Sequence, residues 1–183
     1  MTLSATSRIG LAVAALAVLG LAACEDGETW TNNIDEATLP TPAVESLFPA
    51  CPVVDPTDAK VMKDFLSNIR ANQGKSVLNE DARFTLAAQS HACDMAAHGT
   101  LQVSGTNGSN VVNRLKAAEV GNCTQASQII GRAGSASAQA EGWMRDEPNR
   151  DTIQQQGLDK IGVGMARGPN GRIWWSVVLG SGC

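Results

Sequence analysis

Leu78–Gly99, LNEDARFTLAAQSHACDMAAHG, reads as one long helix around which the rest of the chain is organised. Asn79 stands where an N-cap side chain accepts a free amide of the first turn, and Glu80 and Asp81 put negative charge on the positive end of the helix dipole. Phe84, Ala87, Ala88, His91, Met95 and His98 recur at three- and four-residue steps and draw one stripe down one face. Gly99 can turn left-handed and end the helix. The alanines keep the surface low, so the helix is expected to be approached closely and packed on both sides.

The chain has 183 residues and a net charge of −4, without a cluster of lysine or arginine, which argues against a nucleic-acid partner. Residues 1–23 read as a lipoprotein signal peptide. Arg8 gives a positive start, and Ile9–Leu21 is an apolar run too short for a membrane span but right for a signal core. The run ends in Leu21-Ala22-Ala23-Cys24, which resembles the bacterial lipobox, so Cys24 is the expected lipidation site and the membrane is reached through that anchor. Residues 24–52 form an acidic tether with prolines at 40, 42, 49 and 52 and no basic residue. Residues 53–183 are the folded domain, expected in the cell envelope, where disulfides persist.

Within it, Asp55-Pro56 opens a helix with the stripe Val61, Phe65, Leu66 and Ile69. LQVSGTNGSN, Leu101–Asn110, is a polar loop. Asn110–Val120 is a short helix with Val111, Val112, Leu115 and Ala118 inward, and Ser127–Ile130 is a short strand. Ser135–Met144 is a helix on Ala136, Ala140 and Trp143, and Pro148 breaks regular structure ahead of an irregular segment, Asp151–Gly157. Lys160–Ala166 and Arg172–Leu179 are strands of a hairpin, the second apolar on both faces and so covered on both. Helices interleaved with a few short strands give an α+β domain: a three-layer α/β/α sandwich with a small antiparallel sheet.

Phe84-x3-Ala88-x2-His91-x2-Asp94-Met95-Ala96 resembles the central helix of the CAP superfamily (cysteine-rich secretory proteins, antigen 5 and plant pathogenesis-related class-1 proteins), in its bacterial branch. The other motifs follow in the family's order: Asn68-Ile69-Arg70-x3-Gly74, Gly108-Ser109-x4-Arg114-Leu115, Trp143-Met144 with Pro148-x-Arg150, Ile161-Gly162-Val163-Gly164, and Trp174-Trp175-Ser176-Val177-Val178. The resemblance implies the same sandwich and a cleft that in many members holds a divalent metal on two histidines and two acids. Here the positions of those histidines fall on Val103 and Asn149, the latter beside Arg150, and an acidic position falls near Ser127-Gln128. Val103, Ser127, Gln128, Asn149 and Arg150 are therefore the candidate cleft, with no metal, no cofactor and no catalytic residue expected in it.

His91 and His98 are two helical turns apart, about 10 Å, too far to share an ion. His91 is expected to be structural and His98 exposed near the helix end. Asp146, Glu147 and Asp151 cluster with Arg145 and Arg150, which reads as a solvated loop with local ion pairs. Cys51, Cys93, Cys123 and Cys183 allow three pairings, of which Cys51–Cys183 with Cys93–Cys123 is preferred because it clasps the ends of the domain. Three functions remain open: a binding or scaffolding module for an envelope protein, glycan or lipid; an envelope hydrolase using Asp146, Glu147, Asn149 and Arg150; and a lipid or sterol carrier.

Overall fold

The computed structural model describes residues 47–49, 51 and 54–183, all within one compact unit, Glu36–Cys183. The signal peptide, Cys24 and nearly all of the tether lie outside the described residues. Helix α1 spans Pro56–Ala71, β1 Asn79–Glu80, α2 Ala82–His98, α3 Val111–Ala117 and β2 Gln125–Gly131. Then come α4, Ala136–Arg145, α5, Glu147–Ile153, β3, Lys160–Arg167, and β4, Ile173–Ser181. The sheet has the order β1-β3-β4-β2. It is antiparallel except for the short β1, which runs parallel to β3 and makes the sheet mixed.

Alternation along β4 divides the core. Trp175, Val177 and Leu179 join Met62 and Leu66 of α1, Ala140 and Trp143 of α4 and Ile153 of α5 on one face. On the other, Val178 packs with Phe84, Ala87 and Ala88 of α2 and Leu115 of α3, and Trp174 with Ala92, Met95 and Ala96. The three-layer sandwich read from the sequence is the observed fold.

Helix α2 lies unusually deep. A Cβ on Gly162 would stand 2.0 Å from the carbonyl carbon of Phe84, and one on Gly164 2.3 Å from that of Ala88. The helix backbone thus rests directly on the strand, which only glycine allows.

Local details differ from the sequence reading in ways that have physical causes. The N-cap of α2 is Asp81, whose side chain accepts from the Arg83 amide, because Asn79 and Glu80 are drawn into pairing with β3. The buried stripe of α1 is Met62, Leu66 and Arg70, with Val61 40% exposed. Arg70 turns the helix: its guanidinium donates to the carbonyls of Ser76, Ile153, Gln155 and Leu158 at 2.8–2.9 Å, closing the C-terminal end of α5. Pro148 does not break regular structure but sits in the first turn of α5, where no amide donor is required. Val112 faces outward, at 45% exposure.

The disulfides are Cys51–Cys93 and Cys123–Cys183, not the pairing preferred above. The sheet order explains the second: β2 lies antiparallel beside β4 with Gln125 opposite Ser181, so the cysteines two residues further out also face each other. Cys51–Cys93 pins the segment before α1 onto α2, where the Phe48 amide also donates to Ser90 Oγ at 2.7 Å. Separations of 42 and 60 residues correspond to about 4 kcal/mol each in the chain-entropy model.

Substituting Gly162→Ala should destabilise the domain by about 2–3 kcal/mol, a fall of roughly 6–12 °C in Tm, because backbone rather than a flexible side chain must move. Gly142→Ala, in α4 with nothing within 4 Å of the added carbon, should raise stability by about 0.5–1 kcal/mol. Calorimetric melting of the two variants checks both; equal and small effects would mean that α2 does not rest on the strand.

Candidate functional site

The depth of α2 carries polar side chains inside with it. Ser90, His91 and Asp94 are all buried, as is Arg114 of the facing helix α3. Each must find a partner that replaces water: Ser90 has the Phe48 amide, and the other three turn to the loop between α2 and α3. His91 Nε2 donates to the Gln102 carbonyl at 2.9 Å. Asp94 accepts from the amide and the hydroxyl of Thr106, at 2.8 and 2.6 Å. Arg114 donates to the Ser109 carbonyl and hydroxyl, to the Val103 carbonyl and to Gln128 Oε1. Gln128 in turn donates to Ser176 Oγ at 2.8 Å. A loop with no regular structure is thereby held at four points by three buried side chains.

The same packing sets the charge states. Burial, and after it the neighbouring Arg114 charge, pushes His91 down from 6.5 to about 4. The ring is neutral with its proton on Nε2, and Nδ1 is a buried acceptor without a hydrogen-bond partner among the described residues. Burial also pushes Arg114 down to about 10, with the Asp94 charge opposing, so the guanidinium stays charged at neutral pH. His98 lies at the surface end of α2 with Nδ1 3.0 Å from Asp94 Oδ1.

Over this floor opens a hollow of about 390 Å³ lined by Val103, Ser104, Asn110, Val111, Ala126, Ser127, Gln128 and Thr152. It brings together Val103, Ser127 and Gln128 of the candidate cleft. Asn149 and Arg150 are not among its lining. Asn149 lies one turn earlier on α5 than Thr152 and donates its side-chain amide to Asp146, the N-cap of that helix, at 2.6 Å. Arg150 reaches Asp151 at 4.0 Å. Glu147 sits in the first turn of α5, where its charge suits the dipole. Asp146, Glu147, Asn149 and Arg150 thus do not converge on the hollow. The lining holds hydroxyls, amides and apolar groups but no imidazole, carboxylate or thiolate, a donor set that does not suit a divalent cation. Among the described residues no group of three or more His, Cys, Asp and Glu could hold one.

Of the residues that organise this site, Asp94 and Arg114 were visible in the sequence only as parts of motifs, and Thr106 only as part of a polar loop. The signal for their role is a charge at a buried step of a helix: Asp94 falls three residues after His91, and Arg114 one before Leu115.

The family model described as the cysteine-rich secretory protein family, CAP, matches residues 64–179. No curated protein sequence matches the chain. Among solved structures, an outer surface protein from Borrelia burgdorferi is similar at 14% identity and a TM-score of 0.65, over 73% of this chain and 98% of that one. An extracellular protein containing an SCP domain from Bacillus anthracis matches at 18% identity and 0.63, over 68% of this chain and 40% of its own. A cysteine-rich secretory protein from Staphylococcus aureus matches at 15% and 0.58, over 71% and 40%. This chain therefore spans under half the length of the last two, and at such identities the likeness is one of fold.

The His91 shift has a direction that can be measured. The unfolded ring takes up a proton near pH 6.5 and the folded ring only near 4. Its contribution is present above pH 6.5 and should be lost, by up to about 3 kcal/mol, as the pH falls to 4. Urea midpoints of the native protein should fall between pH 7 and 5 more steeply than those of His91→Gln. Parallel curves would show that the ring is not buried neutral.

Proposed function

The chain belongs to the cysteine-rich secretory protein (CAP) family, and from that premise we propose that it is a binding module of the bacterial envelope, lipid-anchored through Cys24, whose cleft works without metal and without catalysis. The observation that carries this reading is the composition of the hollow: none of its lining side chains titrates near neutral pH, and the titratable groups beneath it are committed to the loop. A hydrolase needs a nucleophile or an activated water next to a base with a matched pKa. Ser104 and Ser127 have no such base in the lining, and the Ser127 hydroxyl is directed to Gln155. Amides, hydroxyls and the exposed Val103 suit instead a neutral, hydrogen-bonding surface of a partner protein or glycan. The two disulfides fit a chain that folds outside a reducing cytoplasm.

Calorimetric titration of the metal-free protein with zinc should give no saturable heat. A one-to-one isotherm in the micromolar range, abolished by Asn149→Ala but not by His98→Ala, would overturn the metal-free reading. The anchor is tested separately by Cys24→Ser, which should move the protein from the membrane to the soluble fraction; an unchanged distribution, with maturation insensitive to globomycin, would count against lipidation.

A further inference from the structure

The sheet topology gathers charge at one end. Because β4 lies antiparallel to both neighbours, the exits of β2 and β3 meet the entrance of β4. Arg132 follows β2, Arg167 ends β3 and Arg172 precedes β4, and all three line one hollow of about 560 Å³ with Ala133, Gly134, Gly171 and Ile173. No acid lines it. None occurs anywhere in residues 125–140 or 161–183, although the chain as a whole is acidic.

These arginines differ from the others. Arg83, Arg145 and Arg150 each have a carboxylate within 4 Å, and Arg70 and Arg114 are buried against carbonyls. Arg132, Arg167 and Arg172 have no ion-pair partner among the described residues, yet two of them are held in place. The Arg132 guanidinium lies 5.0 Å from the ring centre of Trp174, and Arg167 donates one hydrogen bond to the Gly171 carbonyl at 2.8 Å, leaving the rest of its fork open. The hollow also borders the start of α4, where Ser135 is the N-cap and the first turn carries no acid, so the helix dipole adds to the same field.

We propose that this hollow is a binding site for a phosphoryl group. Three arginines lining one hollow from three strand ends suit a tetrahedral anion with several oxygens, whereas a carboxylate fills a single fork. The site is separate from the cleft and does not rest on the reading of it. The phosphoryl group would belong either to a soluble phosphorylated molecule or to the headgroup of an anionic lipid.

The test uses the purified full chain carrying Cys24→Ser, so that no lipid anchor contributes, in two arms: calorimetric titration with inorganic pyrophosphate, and co-sedimentation with phosphatidylcholine vesicles with and without phosphatidylglycerol. Arg132→Gln/Arg167→Gln/Arg172→Gln should weaken binding at least about tenfold, while Lys75→Gln/Lys116→Gln/Arg145→Gln, which removes equal charge elsewhere, should change it less than about twofold. If loss of the Trp174 contact impairs folding, Arg167→Gln/Arg172→Gln serves in its place. Arginine-dependent binding of pyrophosphate assigns a soluble ligand, and arginine-dependent binding of the phosphatidylglycerol vesicles alone assigns a headgroup. Binding to neither probe, or equal weakening by both triple substitutions, overturns the proposal.

Discussion

The contact between the backbone of α2 and the two glycines of β3 governs most of what surrounds it. With no side chain at Gly162 or Gly164, the helix descends until Phe84 and Ala88 rest on the strand. That depth requires the small face of Ala87, Ala88, Ala92 and Ala96, all buried. It also lets Gln89 reach past the helix to the free edge of β3. Its side-chain amide donates to the Met165 carbonyl at 2.9 Å and accepts from the Met165 amide at 3.0 Å, continuing the pairing that β1 provides only as far as Ile161. A strand edge that would otherwise be open to another chain is partly closed by one side chain.

The same depth forces the polar network. His91 and Asp94 could remain at a surface if α2 stood further out. Buried, they are stable only if every polar atom is satisfied or its cost offset, and a carboxylate without donors would cost several kcal/mol. The Leu101–Asn110 loop supplies backbone donors and acceptors, and the Asp94 charge in turn favours the charged form of the buried Arg114. The loop is therefore ordered by its bonds to side chains that the helix packing buries. The same bonds give the hollow a defined shape, with Val103 and Gln128 in its wall.

The sandwich was legible because it rests on periodicity. The stripe of α2, the two apolar faces of Trp174–Leu179 and the turn between Arg167 and Arg172 all appear as spacings, and the order of the family motifs agrees with them. Arrangements that depend on a distant partner were not legible. Nothing in the local sequence says that Asn79–Glu80 will pair with Lys160–Ile161, that β2 will lie beside β4 and bring Cys123 to Cys183, or that Arg70 will occupy an apolar stripe to close another helix. In the site, the alignment of Val103 and Gln128 follows from motif order. Whether Asn149 turns inward depends on the competition for its amide, and the N-cap of α5 takes it.

Charge in this domain is sorted by depth, and the sorting bears on how it can recognise anything. Arg70 and Arg114 commit their donors to internal carbonyls, so they fix loops and cannot turn outward without leaving those carbonyls unpaired. The hollow above Arg114 presents neutral hydroxyls and amides, groups whose interactions act only at contact distance. The exposed arginines at the end of the sheet are the reverse: with no acid lining their hollow, their field reaches about a Debye length into solution and raises encounter rates with anions, while the number of forks that one anion can engage decides which stays. Neutral and cationic surface thus lie on different parts of β2, Ser127–Gln128 in the strand and Arg132 just beyond it.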